Sequence, residues 1–244
     1  MLPLSAMQVL DYTHGLTRSC ETQCVDIWLL SARLEASERE IYERVLSNEE
    51  RERAARFHFQ ADRDRAIVAR GGLRQILSTH IGIQPQGLVF QKGAHGKPSV
   101  LESAIPIEFN ISHAGDCVLI GITMKDECGV DIEQLRSRVS EEAIAERFFC
   151  PREVEWLKRT GIGFVRLWTM KEAIVKAVGQ GLSIPLSDVD VTDIAEGNVS
   201  AITLNTPGLE SKTLWLKELN IVEGYAAAAA AVGTEHTIRL MPEE

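Results

Sequence analysis

Gly129-Val130-Asp131-Ile132-Glu133 sets two carboxylates two positions apart in an apolar stretch. In a strand such neighbours project from one face, while Val130 and Ile132 turn to the other. Two carboxylates side by side repel unless a cation or a proton sits between them. Trp168-Thr169-Met170-Lys171-Glu172-Ala173-Ile174-Val175-Lys176 adds a glutamate and a lysine four positions apart on one helix face. Joined to Asp131 and Glu133, Glu172 completes an oxygen-ligand set for a hard divalent cation, with Lys176 at hand for phosphate. The combination points to chemistry on a pyrophosphate. Taken singly, each piece has a plainer account: the solvent face of a strand, and a surface ion pair worth about 0.3–0.5 kcal/mol.

The elements that must hold these groups can be read from periodicity. Leu167, Met170, Ile174, Ala177 and Val178 recur at helical spacing over about 163–178 and form a buried stripe, with Glu172 and Lys176 on the opposite side. Phe109-Asn110-Ile111-Ser112-His113 reads as a strand entering a turn, its polar side chains available as donors. Gly96-Lys97-Pro98 reads as a turn presenting one lysine. Upstream, Cys24–Leu30 predicts a strand, and Ser37 to Arg56 a helical region opening with Ser37 and Glu40 in capping-box spacing. A helix is predicted from Asp62 to His80, where Gly71-Gly72 marks a close packing contact. Strands follow, ending at Cys117–Thr123, then at Leu214–Leu219 and Tyr225–Val232. The Ala226–Ala231 run is read as a tightly packed strand despite its helical propensity, because Gly224-Tyr225 precede it and Gly233-Thr234 close it.

An internal echo organises the chain. Val25-Asp26-Ile27 and Val130-Asp131-Ile132 each precede a polar helical stretch, an acidic helix start (Ser47–Glu50 and Cys150–Glu153) and a long helix. The expectation is an α+β fold, a pseudo-twofold duplication of two similar α/β halves, each a small antiparallel sheet packed with a long helix. The halves divide at 1–124 and 125–244.

Composition narrows the function classes. The chain of 244 residues is 45% hydrophobic and 25% charged, ordinary for a soluble protein with a core. Its net charge of −9 argues against nucleic acid, with 13 basic against 15 acidic residues up to position 124 and 13 against 20 beyond it. Ten arginines, no lysine and nine acidic residues occupy Arg33–Arg74, mostly a solvated helix face. No membrane span and no signal peptide are expected. The five cysteines (Cys20, Cys24, Cys117, Cys128, Cys150) are odd in number with no Cys-x-x-Cys, which suits free thiols in a reducing cytoplasm. A nicotinamide fold is excluded by the lack of Gly-x-Gly-x-x-Gly after a strand.

The order and spacing of the segments carry more than any one of them. Gly129–Glu133 with Trp168-x-x-Lys171-Glu172-x-x-x-Lys176, supported by Gly96-Lys97-Pro98, Phe109–His113, Arg147-Phe148-Phe149 and Glu153, resemble the 4′-phosphopantetheinyl transferases of the larger, surfactin-synthetase-activating type. The resemblance runs in order over roughly 24–232. It implies transfer of the phosphopantetheine arm of coenzyme A to a serine of an acyl or peptidyl carrier protein, releasing 3′,5′-ADP. It further implies Mg²⁺, replaceable by Mn²⁺, on Asp131, Glu133 and Glu172, and Lys176 on the phosphates. Glu172 is the implied base, acting directly or through a bound water, with Glu153 second. Lys97, Pro98, Ser112 and His113 match nucleotide-phosphate positions, Arg53 falls where relatives carry a lysine, and Arg65 matches a nearby basic position. Ala114 stands where many relatives have a second serine. By the duplication, Arg70 and Arg74 take the places of Glu172 and Lys176, so one of two pseudo-equivalent sites is expected to be catalytic. The arginine-rich face is available to dock acidic carriers, and a cytoplasmic monomer is expected.

Two other readings fit parts of the pattern. A Mg²⁺-dependent nuclease would need its Glu and Lys two apart on a strand. A non-catalytic coenzyme A-binding protein of the same fold would bind without modifying a carrier.

Overall fold

The computed structural model describes residues 3–13, 23–93, 95–135, 141–161, 163–181, 184–204 and 211–242, so Cys20 lies outside it. Apolar runs form two four-stranded sheets. The first has the order β10-β1-β5-β4, from β1 (Cys24–Ser31), β4 (Ile107–Ala114), β5 (Cys117–Met124) and β10 (Thr237–Met241). The second has the order β6-β9-β8-β7, from β6 (Cys128–Gln134), β7 (Ala201–Leu204), β8 (Lys212–Glu218) and β9 (Tyr225–Val232). A small hairpin, β2 (Phe90–Lys92) with β3 (Pro98–Val100), stands apart. All neighbours are antiparallel except β1 and β10.

The orders β1-β5-β4 and β6-β9-β8 match, which is the duplication expected from the echo. Each sheet carries a long helix. Ile67, Leu73 and Leu77 of α4 (Gln60–Ile81) pack on Trp28, Leu30 and Ile120 of the first sheet. Leu167, Ala173 and Ile174 of α7 (Phe164–Val178) pack on Leu214, Ala228 and Ala230 of the second. A third cluster, with Val25, Ile27, Val130, Ile132 and Ala229, fills the space between the sheets. The alanine run is therefore a strand covered on both faces, and small side chains are what let helix and sheet approach it together.

Two expectations change. The helical region is split into α2 (Ala36–Glu43) and α3 (Asn48–Ala55), and its first cap is Glu35 with Glu38, not Ser37 with Glu40. Glu38 accepts from the backbone N–H of both Glu35 and Ala6, the latter opening α1 (Ala6–Thr13), so a long-range contact moves the start. The second box, Ser47 with Glu50, forms as spaced. Further, β10 returns from the end of the chain to the edge of the first sheet, across the 124/125 division. There Arg239 closes on the buried Asp26 with two bonds of 2.7 Å, so the echo of Asp131 is neutralised by an internal ion pair. The shorter helices α5 (Glu141–Phe148), α6 (Pro151–Thr160) and α8 (Thr192–Ala195) cover the second half. Among the described residues no helix is long and apolar enough to cross a membrane.

Close approach explains three glycines. A Cβ at Gly71 would lie 2.6 Å from Tyr42 Cβ, and one at Gly72 2.4 Å from Leu30 Cδ1. At Gly129 the obstruction is backbone, 2.1 Å to the Ala173 carbonyl oxygen and 2.3 Å to the Ala177 nitrogen, so α7 rests directly on β6. Gly129→Ala is expected to cost about 2–3 kcal/mol in urea unfolding by forcing helix and strand apart. A loss below roughly 0.5 kcal/mol would mean that α7 can retreat freely.

Candidate active site

The site forms where β4 and β6, edge strands of different sheets, come together. Strand edges leave backbone donors unpaired, and the Asn110 side-chain oxygen accepts the Val130 N–H at 3.0 Å across this seam. That bond sets the register in which Ser112 meets Asp131. The Ser112 hydroxyl donates to Asp131 Oδ1 at 2.8 Å. From α7, the Lys176 ammonium donates to the same oxygen at 2.6 Å and to Ser112 Oγ at 3.0 Å. Glu172, one turn earlier on the helix, lines the same ≈ 330 Å³ pocket with Glu133, Asp131, His113 and Trp168.

Three carboxylates against one ammonium leave this pocket with a formal charge of −2. Burial pushes the Glu172 carboxyl above its usual range, and the Asp131 charge adds to this against the opposing pull of Lys176. Asp131 Oδ2 is buried with no hydrogen-bond partner. Such an atom is costly unless something positive reaches it. Burial also pushes His113 below the ordinary histidine range, and the positive charges of Arg65 and Lys176 add to this against a backbone hydrogen bond. The ring is therefore neutral at pH 7 and leaves the charge balance unchanged.

This donor set fits a divalent cation. Mg²⁺ takes one or two carboxylates and fills its remaining positions with water and substrate phosphate oxygens. The carboxylates of Asp131, Glu133 and Glu172 line one pocket, but their oxygens do not all lie within 4.8 Å of one another. Among the described residues, acidic and sulfur ligand atoms lie within 4.8 Å of one another at Cys150, Glu153 and Asp190. There the Lys171 ammonium already holds Glu153, so that cluster is an ion-pair network.

The profile of the 4′-phosphopantetheinyl transferase superfamily matches residues 127–230, and that of the 4′-phosphopantetheinyl transferase N-terminal region matches 35–124. The 4′-phosphopantetheinyl transferase HetI of Nostoc sp. is 32% identical over 218 residues, 86% of this chain and 88% of HetI. This chain belongs to the 4′-phosphopantetheinyl transferase family. The transferase Sfp of Bacillus subtilis is 31% identical over 205 residues, 81% of this chain and 87% of Sfp. A putative 4′-phosphopantetheinyl transferase of Synechocystis sp. is 38% identical over 156 residues, 61% of this chain and 63% of its own length.

Within this transferase the residues named from sequence separate into three groups. Asp131, Glu133, Glu172, Lys176, Ser112 and His113 share the central pocket. Arg53 and Pro98 line a neighbouring ≈ 520 Å³ pocket with Arg70 and Lys92, and Arg65 lines a third of ≈ 630 Å³ with Trp168, Phe164 and Ile144. His113 borders all three. Arg65 is itself held by Asp62 and by the Gly115 carbonyl.

Two assignments are corrected. Glu153 is fully buried in α6, where it binds Lys171 and accepts the Cys150 and Val191 N–H groups, so it has no access to an incoming serine. Lys97 lines none of the three pockets. Its ammonium donates to the Cys128 and Ala177 carbonyls, tying the end of α7 to the start of β6. A helix C-terminus attracts cations. The Glu172 and Lys176 pair lies on a helix and not on a strand, which removes the nuclease pattern.

Two residues had no assigned role in the sequence reading: Lys171, which sets geometry, and Lys92, which lines the basic pocket with Arg70. Asn110, read as a donor, accepts the Val130 N–H through its side-chain oxygen. Arg74 is held by Glu50 and by the Pro85 and Leu88 carbonyls. Burial pushes the Arg70 guanidinium down, and Arg53 and Arg74 push the same way against Glu50, an environment that an anion would relieve. The signal for Lys171 was its position, since it falls on the apolar stripe of α7 between Leu167 and Ile174.

Proposed function

We propose that this transferase moves 4′-phosphopantetheine from coenzyme A to a serine hydroxyl of an acyl or peptidyl carrier protein, with Mg²⁺, and releases 3′,5′-ADP. The observation that carries the reading is the junction at Asp131, where Ser112, Lys176 and an unpartnered buried oxygen meet beside Glu172. Arg53, Arg70 and Lys92 would take the nucleotide phosphate, since guanidinium and ammonium groups suit it. The central pocket would take the diphosphate, with Ser112, His113 and Lys176 as donors. The apolar wall of Trp168, Phe164 and Ile144 suits the pantetheine arm.

Asp131, Glu133 and Glu172 would hold Mg²⁺, which when bound draws charge from the attacked phosphorus and steadies the leaving diphosphate oxygen. The serine Oγ–P bond forms as the P–O bond to 3′,5′-ADP breaks. Glu172 accepts the serine proton, directly or through a bound water. Lys176 neutralises charge gathering on the departing phosphate. Because one chain supplies both halves, a monomer suffices. We read it as cytoplasmic.

The test is incubation with an apo carrier, coenzyme A and Mg²⁺, followed by intact mass. A gain of ~340 Da on the carrier serine, abolished by chelation, is expected. An unchanged carrier with coenzyme A bound would favour the non-catalytic reading.

A further inference from the structure

We propose that Lys176 guards the cation site: in the free enzyme its ammonium is the counter-ion of Asp131, and it yields that place only when a diphosphate arrives to receive it. Cation and diphosphate then enter as a coupled pair. This rests on the cation reading above and adds to it an order of events.

The geometry supplies both halves of the exchange. Lys176 donates to Asp131 Oδ1 at 2.6 Å, and Ser112 donates to the same oxygen at 2.8 Å, while Oδ2 has no partner. The carboxylate is 4% exposed and the lysine side chain 28% exposed, so the acid is fixed and the ammonium can swing on its four-carbon stem. Without any cation beside it, Asp131 would be a buried charge with no counter-ion, a strongly unfavourable state. One positive partner must therefore stay until another arrives. A divalent ion approaching Asp131 while Lys176 is in place meets the ammonium's positive charge within a few ångströms, which opposes it. A diphosphate removes the conflict, because it offers the ammonium new oxygen acceptors and offers the ion additional ligands. Linkage makes the effect reciprocal, since the ion tightens the diphosphate by the factor by which the diphosphate tightens the ion. Glu133, Glu172 and His113 face the same space, and none of them supplies a second positive charge at neutral pH.

Mn²⁺ is the probe, its free concentration read by electron paramagnetic resonance with intact protein. Wild type without coenzyme A is expected to bind Mn²⁺ weakly and to tighten at least ~10-fold when coenzyme A is added. Lys176→Met without coenzyme A is expected to bind Mn²⁺ at least ~10-fold more tightly than wild type alone, with a smaller further gain on adding coenzyme A. Lys176→Gln, which keeps a polar head, should behave alike, and thermal melts verify that both variants fold. If neither variant tightens Mn²⁺ binding, the guard is overturned. If Ser112→Ala tightens it equally, loosening of the junction and not removal of the charge is the cause, and the proposal falls as well. If wild type with coenzyme A binds no Mn²⁺ at all, the cation reading itself fails, a result distinct from either.

Discussion

Glu172→Gln is expected to lower the maximal rate of carrier modification by about 10³-fold or more, with the fold intact. Removing a general base alone accounts for roughly 10²–10⁴-fold. The amide also takes one negative charge from a pocket that holds three carboxylates and one ammonium. Stability should move the other way. In the folded protein burial and the Asp131 charge raise the Glu172 carboxyl above its unfolded value, so its ionised form weakens the fold. Wild-type protein without ligands therefore gains stability from this group as pH falls through that raised value. The neutral amide lacks the penalty at every pH, so the variant should melt at or above wild type near neutrality. Turnover at saturating coenzyme A and melts across pH report the two effects separately. A rate within tenfold of wild type would remove Glu172 from the chemistry.

Lys171→Met should destabilise the protein by about 3–5 kcal/mol, because it strands a buried carboxylate. Lys171 and Glu153 are both fully buried, and the ammonium reaches the two carboxylate oxygens at 2.6 and 2.5 Å and also the Val189 carbonyl. It lies 4.8 Å from the Phe149 ring centre, so one lysine ties α6, α7 and the segment before α8 together. Replacing both charges should be far milder than replacing one, because no charge is left unpaired. In the double variant Glu153→Gln with Lys171→Met, roughly half of the loss or more should return, the remainder reflecting weakened bonds to Cys150 and Val191 at about 1 kcal/mol each. Urea unfolding of the four proteins closes the cycle. Additive losses would show that the pair is not coupled. The activity of the double variant bears on the site directly, since Lys171 precedes Glu172 on the helix and fixes which side of α7 faces inward.

Much of this arrangement was legible in the residues alone. Helical spacing identifies α7 and its apolar face, alternation in Gly129–Glu133 separates the two faces of β6, and the flanking glycines identify the alanine strand β9. Asp131 with Glu133, and Glu172 with Lys176, could be assigned to their respective faces because spacing within one element is a local property. The echo of Val25-Asp26-Ile27 in Val130-Asp131-Ile132 likewise anticipated two matching sheets.

Partnership between elements was not legible. Glu153 had the composition of a catalytic base and proved to be the buried counter-ion of Lys171. Lys97 had that of a phosphate ligand and proved to cap α7. Lys171 and Lys176 lie five positions apart on one helix, roughly 140° around its axis. One is therefore sealed in the core and the other opens on the pocket, a division that helical spacing marks without naming Glu153 as the partner of the first. Asp26 and Asp131 share an apolar frame, yet a strand from the far end of the chain brings Arg239 to the first and leaves the second to Lys176. Periodicity records the direction a side chain faces, and only packing across long stretches of chain settles what it meets there.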